Sequence, residues 1–205
     1  MITIYGIATS RAFRAYWMAE ELGLDYQRVP LDFRGEGLQD PAYLALNPNG
    51  RIPTLVDGEL VLWESMAINF YLAEKYGEQT GLWPDSIESR ALANQWSHWV
   101  MHEVEGPLLS YLMHKRVLPE EKREAEKVSR NEGLLRKPFR ILNDKLADRD
   151  YLADGRFTVA DLNVAAVLSW SKPARYPMAD YPELAAWLKR CLDRPARKRA
   201  QVEPA

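Results

Sequence analysis

Residues 47–76 read NPNGRIPTLVDGELVLWESMAINFYLAEKY, and this stretch decides the fold. It contains two short apolar runs, 54–56 and 60–63, which have the composition of β-strands. Asp57-Gly58 joins them, and this dipeptide suits the positive φ angles of a tight hairpin turn. Residues 65–76 then have the periodicity of a helix. The stretch therefore predicts a β-hairpin that leads directly into a helix.

The residues before this hairpin predict a parallel pair of strands and two helices. Residues 2–6 and 25–31 have strand composition, and the helical run 11–22 between them follows Ser10 and stops at a glycine. A short helix then begins at the Asp-Pro pair 40–41, because aspartate suits the N-cap and proline the first helical position. This order requires a mixed four-stranded sheet with three helices on its two faces, which is the thioredoxin-like arrangement.

Beyond the hairpin and its helix, the chain predicts only helices. Residues 79–85 are rich in glycine, proline and polar side chains, which indicates a linker between a domain 1–78 and a domain 86–205. Within the second domain, Thr158 and Asp161 form the Thr-x-x-acid capping box of a helix. We expect further helices over 87–116, with a kink at Gly106-Pro107, over 119–146 and over 182–194. The predicted fold class is an α/β domain followed by an all-helical domain.

The composition is that of an ordinary globular protein and excludes some classes of partner. The chain is 47% hydrophobic and 27% charged, with a net charge of −2. It has no basic face for phosphate groups, so nucleic acid is not an expected partner, and the basic cluster at 194–200 is interpreted as solvating a helix end. The N-terminus lacks a signal peptide and the chain lacks an apolar membrane span, so a cytoplasmic location is expected.

The single cysteine, Cys191, excludes an intramolecular disulfide and fits a reducing compartment. It lies in WLKRCLDR, a run with helical periodicity. A cysteine in such an apolar setting is more often a buried structural thiol than a reactive one. We therefore do not assign it a chemical role.

These motifs together resemble the cytosolic glutathione transferases. Asn-Pro-x-Gly-Arg-Ile-Pro ahead of a strand, followed by a hairpin and by Glu-Ser at a helix start, is similar to the glutathione-binding half of that family. FTVADL at 157–162 resembles its helix-capping motif, and SRAFR at 10–14 resembles its bacterial, serine-type, theta-like members. The resemblance covers essentially the whole chain. It implies a homodimeric enzyme that uses glutathione as co-substrate and needs no metal.

The resemblance implies two contacts with the middle and the γ-glutamyl end of glutathione. Pro53 would be cis, so that the backbone of Ile52 pairs like a strand with the cysteinyl unit. The hydroxyl and N–H of Ser65 would hold the γ-glutamyl carboxylate at the positive end of a helix dipole, and Glu64 would accept from the ammonium group. Simple N-capping explains the Glu-Ser pair without any ligand.

At the glycine end of glutathione, the sequence offers few cations to bind the carboxylate. Several serine-type members carry a His-Lys pair for the glycine carboxylate, whereas this chain has Leu38-Gln39. Arg51 is the remaining candidate cation.

Catalysis in this family consists of making the thiolate of glutathione. A free thiol has a pKa near ~8.5, so it is mostly protonated at neutral pH. Ser10, at the start of the first helix, is the candidate that donates a hydrogen bond to the thiolate, and an N-cap role for it can coexist. Thr9 is the first alternative and Tyr5 the second. No cysteine occupies this position, which argues against disulfide exchange.

The second, electrophilic substrate is expected between the two domains, against the first long helix of the second. His98, His102 and Glu105 recur at i, i+4 and i+7 and so share one helix face, which is either part of this site or solvated. Another face carries an apolar stripe expected in the core, made of Trp96, Val100 and Val104. The histidine spacing alone suits a metal, but no third ligand has a recognisable spacing.

Three functions are compatible with these features. The first is conjugation of glutathione to a small electrophile. The second is a glutathione-dependent isomerase of the maleylacetoacetate type, although the serine-rich signature of that branch is absent. The third is a noncatalytic interaction protein that kept the fold, against which the presence of Ser10, Pro53, Glu64 and Ser65 argues.

Overall fold

The computed structural model describes residues 1–202, which divide into two compact units. The first consists of Met1–Trp83 together with the chain from Asp193 onward, and the second of Pro84–Leu192. The N-terminal unit is thus completed by the last part of the chain. Along the described residues, no helix is both long and apolar enough to cross a membrane.

The first unit contains a mixed four-stranded sheet, as the sequence predicted. Its strands are β1 (Ile2–Tyr5), β2 (Tyr26–Val29), β3 (Thr54–Asp57) and β4 (Leu60–Trp63), and its order is β2-β1-β3-β4. β1 and β2 are parallel, whereas β1–β3 and β3–β4 are antiparallel. The βαβ unit therefore supplies the parallel pair and the hairpin supplies the antiparallel one.

Three helices of this unit cover the sheet: α1 (Ala12–Leu22), α2 (Pro41–Leu46) and α3 (Ser65–Tyr76). Ile4 and Leu55 are paired in register and fully buried. Successive side chains of a strand point to opposite faces, so Tyr5 and Thr54 lie on the other face, where they contact Tyr43 of α2. α1 and α3 pack against each other on the face of Ile4.

A cluster around Asp57 ties the hairpin to α3. Its Oδ2 accepts hydrogen bonds from the hydroxyls of Tyr71 and Tyr76 at 2.7 and 2.6 Å, and from Nζ of Lys75 at 2.8 Å. Burial alone would raise the pKa of Asp57, but these hydrogen bonds outweigh it and lower the pKa to about 2. A charged Asp57 thus fixes the position of α3 relative to the strands that precede it.

The last helix of the described chain, α10 (Pro195–Ala200), packs against α1. Arg194 makes a bidentate pair with Glu21 at 2.6 and 2.7 Å, and Nε of Arg199 donates to Glu20 at 2.8 Å. The sequence predicted one helix over 182–194 followed by a solvated basic cluster. Instead, the preceding helix ends at Leu192, and the basic residues form a separate helix with acidic partners in α1.

The second unit is helical within the described residues, as expected. Its helices are α4 (Ile87–Val100), α5 (Gly106–Leu112), α6 (Ala125–Lys145), α7 (Val159–Leu168), α8 (Ser171–Ala174) and α9 (Pro182–Leu192). All ten residues of α7 are buried, so this helix forms the centre of the unit. Cys191 is fully buried, which confirms its structural interpretation.

One boundary in this unit differs from the prediction, whereas the helical stretch predicted over 87–116 is observed from Ile87 to Val117. The chain stays helical through Gly106, and α4 joins α5 through a π-helical turn, Met101–Glu105, that widens the hydrogen-bond pattern ahead of the proline. α6 begins at Ala125 rather than at residue 119, because Glu124 is extended. Arg123 donates to the carbonyl groups of Leu118 and Arg116, which closes the preceding helical segment.

Candidate functional site

The turn between β1 and α1 carries Ser10. This turn begins at Gly6, whose φ of 143° is rarely adopted by other residues. A Cβ at this position would also lie only 2.4 Å from the Cβ of Ala12 in α1. The Ser10 hydroxyl donates to the carbonyl of Ile7 at 2.7 Å and accepts from the N–H of Ala12 at 3.1 Å. Ser10 therefore binds one of the N–H groups that the start of α1 leaves unpaired, and it remains half-buried.

The two alternatives to Ser10 have different surroundings. Thr9 is exposed, and its hydroxyl has no hydrogen-bond partner within residues 1–202. Tyr5 is paired with Thr54 across the sheet, and its ring centroid is 5.7 Å from that of Tyr43. Tyr5 thus takes part in the packing of α2 on the sheet.

A polar network fixes the loop that leads into β3. The carbonyl of Arg51 accepts hydrogen bonds from the Tyr43 hydroxyl at 2.5 Å and from the Asn47 amide at 2.8 Å. Thr54, on the other side of the loop, accepts from the same amide at 3.1 Å, and its hydroxyl lies 2.8 Å from that of Tyr43. Because Asn47, Tyr43 and Thr54 are all buried, the segment between Arg51 and Thr54 is held at both ends.

Within this loop the Ile52–Pro53 peptide is cis, as the family resemblance implies. Ile52 is half-buried and Arg51 is exposed. Among the described residues, the guanidinium of Arg51 has neither an ion-pair nor a hydrogen-bond partner. It can therefore bind an external anion without breaking an existing contact.

Glu64 and Ser65 form the start of α3. Glu64 is exposed and has a φ of 73°, which is uncommon for a residue other than glycine and is often found at ligand-binding sites. Ser65 is only 4% exposed, and its hydroxyl accepts a hydrogen bond from Nη1 of Arg14 at 3.2 Å. No residue in the described chain accepts a hydrogen bond from that hydroxyl. Helix α3 adds the unpaired N–H groups and the positive dipole of its first turn.

His98 and His102 differ in burial from the nearby Glu105. His98 and His102 are exposed, whereas Glu105 is 7% exposed. The π-helical turn alters the spacing on which their common face was predicted. The apolar stripe is confirmed as core, since Trp96, Val100 and Val104 are all buried.

Among residues 1–202, histidine, cysteine, aspartate and glutamate side chains form no group of three or more that could hold a metal ion. His102 has its neighbour Glu103 at 3.9 Å, which is a contact between two side chains at the surface.

Family models match both units of the chain. Residues 1–74 match the N-terminal domain of glutathione S-transferases and residues 100–195 match the C-terminal domain. Glutathione S-transferase 3 of Zea mays is 36% identical, over 95% of this chain and 90% of its own length. The chain belongs to the glutathione S-transferase family. Glutathione S-transferase GstB of Escherichia coli is 31% identical, over 100% of this chain and 99% of its own length.

Solved structures of this family agree with the fold. A theta-class glutathione S-transferase of Xanthomonas axonopodis, with glutathione bound, has a TM-score of 0.90 and 34% identity and covers 99% of this chain and 98% of its own. Glutathione S-transferase III in its apo form has a TM-score of 0.85 and 32% identity, covering 100% and 99%. The theta-like resemblance of the sequence is thus matched by a bacterial structure of that class.

Three residues that shape the candidate site were not assigned a role from the sequence: Arg14, Tyr43 and Asn47. Arg14 was noted only as the last residue of the SRAFR motif, although it is 1% exposed and contacts Ser65. Its signal is its position inside the otherwise apolar run of α1, where Ala12 to Ala19 are all buried. Asn47 was noted only as the first residue of the Asn-Pro-x-Gly-Arg-Ile-Pro motif, and Tyr43 gave no signal, because their common partner, the Arg51 carbonyl, is a backbone group.

Proposed function

We propose that this protein is a glutathione transferase that ionises the thiol of glutathione and adds the sulfur to a small electrophile. One observation carries this proposal. Ser65 is buried at the start of α3, beside a buried arginine, with a hydroxyl hydrogen that no described residue accepts. A buried hydroxyl whose hydrogen has no acceptor is unfavourable unless a ligand accepts that hydrogen. A carboxylate bound at the helix N-terminus would be such an acceptor.

Glutathione has groups that suit each part of this region. Its γ-glutamyl carboxylate would accept from the hydroxyl and N–H of Ser65, and its ammonium would donate to the exposed carboxylate of Glu64. Its cysteinyl unit would pair with the backbone of Ile52, in the loop that the Asn47 network holds. Arg51, which has no side-chain partner within residues 1–202, would bind the glycine carboxylate.

Ser10 would stabilise the thiolate of glutathione. The thiol loses its proton to solvent, and the Ser10 hydroxyl donates a hydrogen bond to the resulting thiolate instead of to the carbonyl of Ile7. Lowering the thiol pKa by about two units requires roughly 2.7 kcal/mol of selective stabilisation. The thiolate then forms a carbon–sulfur bond with the electrophile, and this either opens a π bond, after which solvent returns a proton, or expels a leaving group that departs with its electron pair. His98, His102 and Glu105 remain the candidates for contact with that second substrate.

Glutathione binding tests this proposal. The protein should be retained on immobilised glutathione, and free glutathione should raise its melting temperature, because a ligand that binds only the native state stabilises it. Ser65→Ala should weaken both effects, whereas Ser89→Ala, in an exposed serine pair of α4, should leave them unchanged.

The alternative functions would give different results. No thermal shift at millimolar glutathione would remove the transferase proposal and favour an interaction protein. Binding without conjugation, but with turnover of an isomerase substrate, would favour the glutathione-dependent isomerase.

A further inference from the structure

A buried pair of side chains, Arg14 and Ser65, connects α1 to α3. Arg14 is 1% exposed and Ser65 is 4% exposed, so their contact is shielded from water. Nη1 of Arg14 lies 3.2 Å from Oγ of Ser65. Arg14 comes one helical turn after Ser10, and Ser65 is the first residue of α3. One guanidinium therefore joins the helix of the candidate thiolate donor to the helix of the candidate carboxylate site.

The direction of this hydrogen bond follows from the chemistry of arginine. A guanidinium has five N–H donors and no acceptor, so Arg14 must donate and Ser65 must accept. The hydroxyl of Ser65 keeps one hydrogen, and no residue of the described chain accepts it. The Ser65 hydroxyl is thereby set as a donor toward whatever binds at the start of α3.

The positive charge of Arg14, like the hydrogen bond to Ser65, favours a carboxylate at the start of α3. The guanidinium is permanently protonated, and a charge in a buried setting is screened much less than one at the surface. A carboxylate next to Ser65 gains from this charge, whereas an ammonium group there is repelled. Arg14 has further interactions besides this bond, so its loss will also affect folding. A test therefore has to separate ligand recognition from stability.

We propose that Arg14 is a positioning residue that makes Ser65 an obligate donor to the γ-glutamyl carboxylate of glutathione. It acts through Ser65 and does not need to touch the ligand. This inference rests on the proposed function, because it specifies how the same site recognises one group of glutathione.

Comparison of two ligands measures the contribution of the γ-glutamyl carboxylate to binding. Glutathione is compared with 4-aminobutyryl-cysteinylglycine, which keeps the amine but lacks the γ-glutamyl carboxylate. The measured quantity is the dissociation constant of the analogue divided by that of glutathione. Both constants are determined by calorimetry at a temperature at which every variant is folded. Loss of stability weakens both ligands alike, whereas loss of carboxylate recognition lowers the ratio.

The wild-type ratio should be large, and Arg14→Met should lower it by about 10- to 100-fold, the range expected for one hydrogen bond to a charged group with its supporting charge. Arg14→Lys should restore part of the ratio, since it keeps the charge and a donor. Arg28→Met is the matched control: this arginine is also largely buried, but its partners are Glu20, Tyr26 and α10. It should lower the melting temperature and leave the ratio unchanged.

Each outcome decides between the two proposals. If the wild-type protein does not bind glutathione, the proposed function itself fails. If it binds and discriminates, but Arg14→Met keeps the full ratio, only the role of Arg14 is overturned. In a Ser65→Ala background, Arg14→Met should lower the ratio clearly less than it does with Ser65 present, because the route through Ser65 is gone and only the direct effect of the charge remains; an equal loss in both backgrounds overturns the role of Arg14. Should Arg14→Met not fold, Arg14→Leu replaces it, because leucine also lacks both the donor and the charge, and an unchanged ratio in that variant overturns the role equally.

Discussion

Ser10 has two local hydrogen bonds, and these determine how its proposed catalytic role can be recognised. Its hydroxyl donates to Ile7 and accepts from the N–H of Ala12. The bond from Ala12 fixes the oxygen at the start of α1, whereas the hydrogen can change acceptor by rotation of the hydroxyl. A capping role and a catalytic role therefore use different parts of the same group.

The first prediction concerns this separation. Ser10→Ala should leave glutathione affinity nearly unchanged, because Ile52, Glu64 and Ser65 still hold the peptide. The rate with a chromogenic electrophile at neutral pH should fall by about 10- to 1000-fold, as expected when one donor to a developing anion is removed. Activity should recover partly as pH rises, since the thiol then ionises unaided. Steady-state rates between pH 6 and 9 measure both effects.

Thr9→Ala is the matched control, since Thr9 is the adjacent hydroxyl. It should have much less effect than Ser10→Ala. If Thr9→Ala abolishes turnover while Ser10→Ala does not, the assignment is wrong by one residue. If neither variant loses activity, Tyr5 is the next candidate donor.

At the level of single residues, the sequence predicted local roles better than buried ones. Ser10, Glu64 and Ser65 were proposed because the motifs around them resemble those of a known family and stand at helix starts. The buried contact of Arg14 was not predicted, because it depends on two helices that are far apart in sequence. Ser10 also caps α1, whereas the Glu64 side chain makes no capping hydrogen bond and the Ser65 hydroxyl accepts from Arg14, so N-capping alone does not explain the Glu-Ser pair.

Among the elements, α7 is held by the capping box that the sequence predicted, and the structure confirms it. Asp161 accepts hydrogen bonds from the N–H of Leu152 at 2.9 Å, the N–H of Thr158 at 3.1 Å and the Trp187 indole at 3.0 Å. Asp161 is fully buried. Burial outweighs the opposing effect of these hydrogen bonds and raises the pKa of Asp161 to about 6.

This raised pKa predicts a pH-dependent stability. The folded state binds the Asp161 proton more tightly than the unfolded state, so the contribution of Asp161 to the free energy of unfolding falls as pH rises from about 4 to about 6. A pKa difference of about two units corresponds to roughly 3 kcal/mol. Urea unfolding of the wild type and of Asp161→Asn, compared across this range, isolates the effect because asparagine does not titrate.

The exposed Asp150 provides the control, since Asp150→Asn should leave the pH dependence of the wild type almost intact. A difference between wild type and Asp161→Asn that instead rises with pH would show that the hydrogen bonds to the carboxylate outweigh its burial.

Element boundaries were predicted where local chemistry sets them. Asp57-Gly58 fixed the hairpin, and α3 runs from Ser65 to Tyr76 as expected. The late start of α6 was not predicted, because Arg123 binds the backbone carbonyl groups of Leu118 and Arg116, and a backbone partner leaves no mark on the sequence pattern. The separate α10 was not predicted either, since its stability comes from Glu20 and Glu21 of α1.

For the whole molecule, the family resemblance predicts a homodimer. Leu60 and Trp63 support this expectation, because they lie on the edge strand β4 and are 38% and 42% exposed. Size-exclusion chromatography with light scattering should give about twice the chain mass of 23.6 kDa. The mass should stay constant on dilution to micromolar concentration. A stable species of one chain mass under these conditions would contradict the prediction.

The return of α10 to α1 also has a consequence for synthesis on the ribosome. Residues 1–83 are made first, yet Arg194 and Arg199, which pair with α1, are made after the whole of 84–192. Domains generally fold as units while the chain emerges, so the second unit can be complete while α1 still lacks its covering helix. Glu20 and Glu21 then lack their arginine partners until residues 194–199 have emerged. The helix that follows Ser10 therefore receives this support only after the whole of 84–192 has been made.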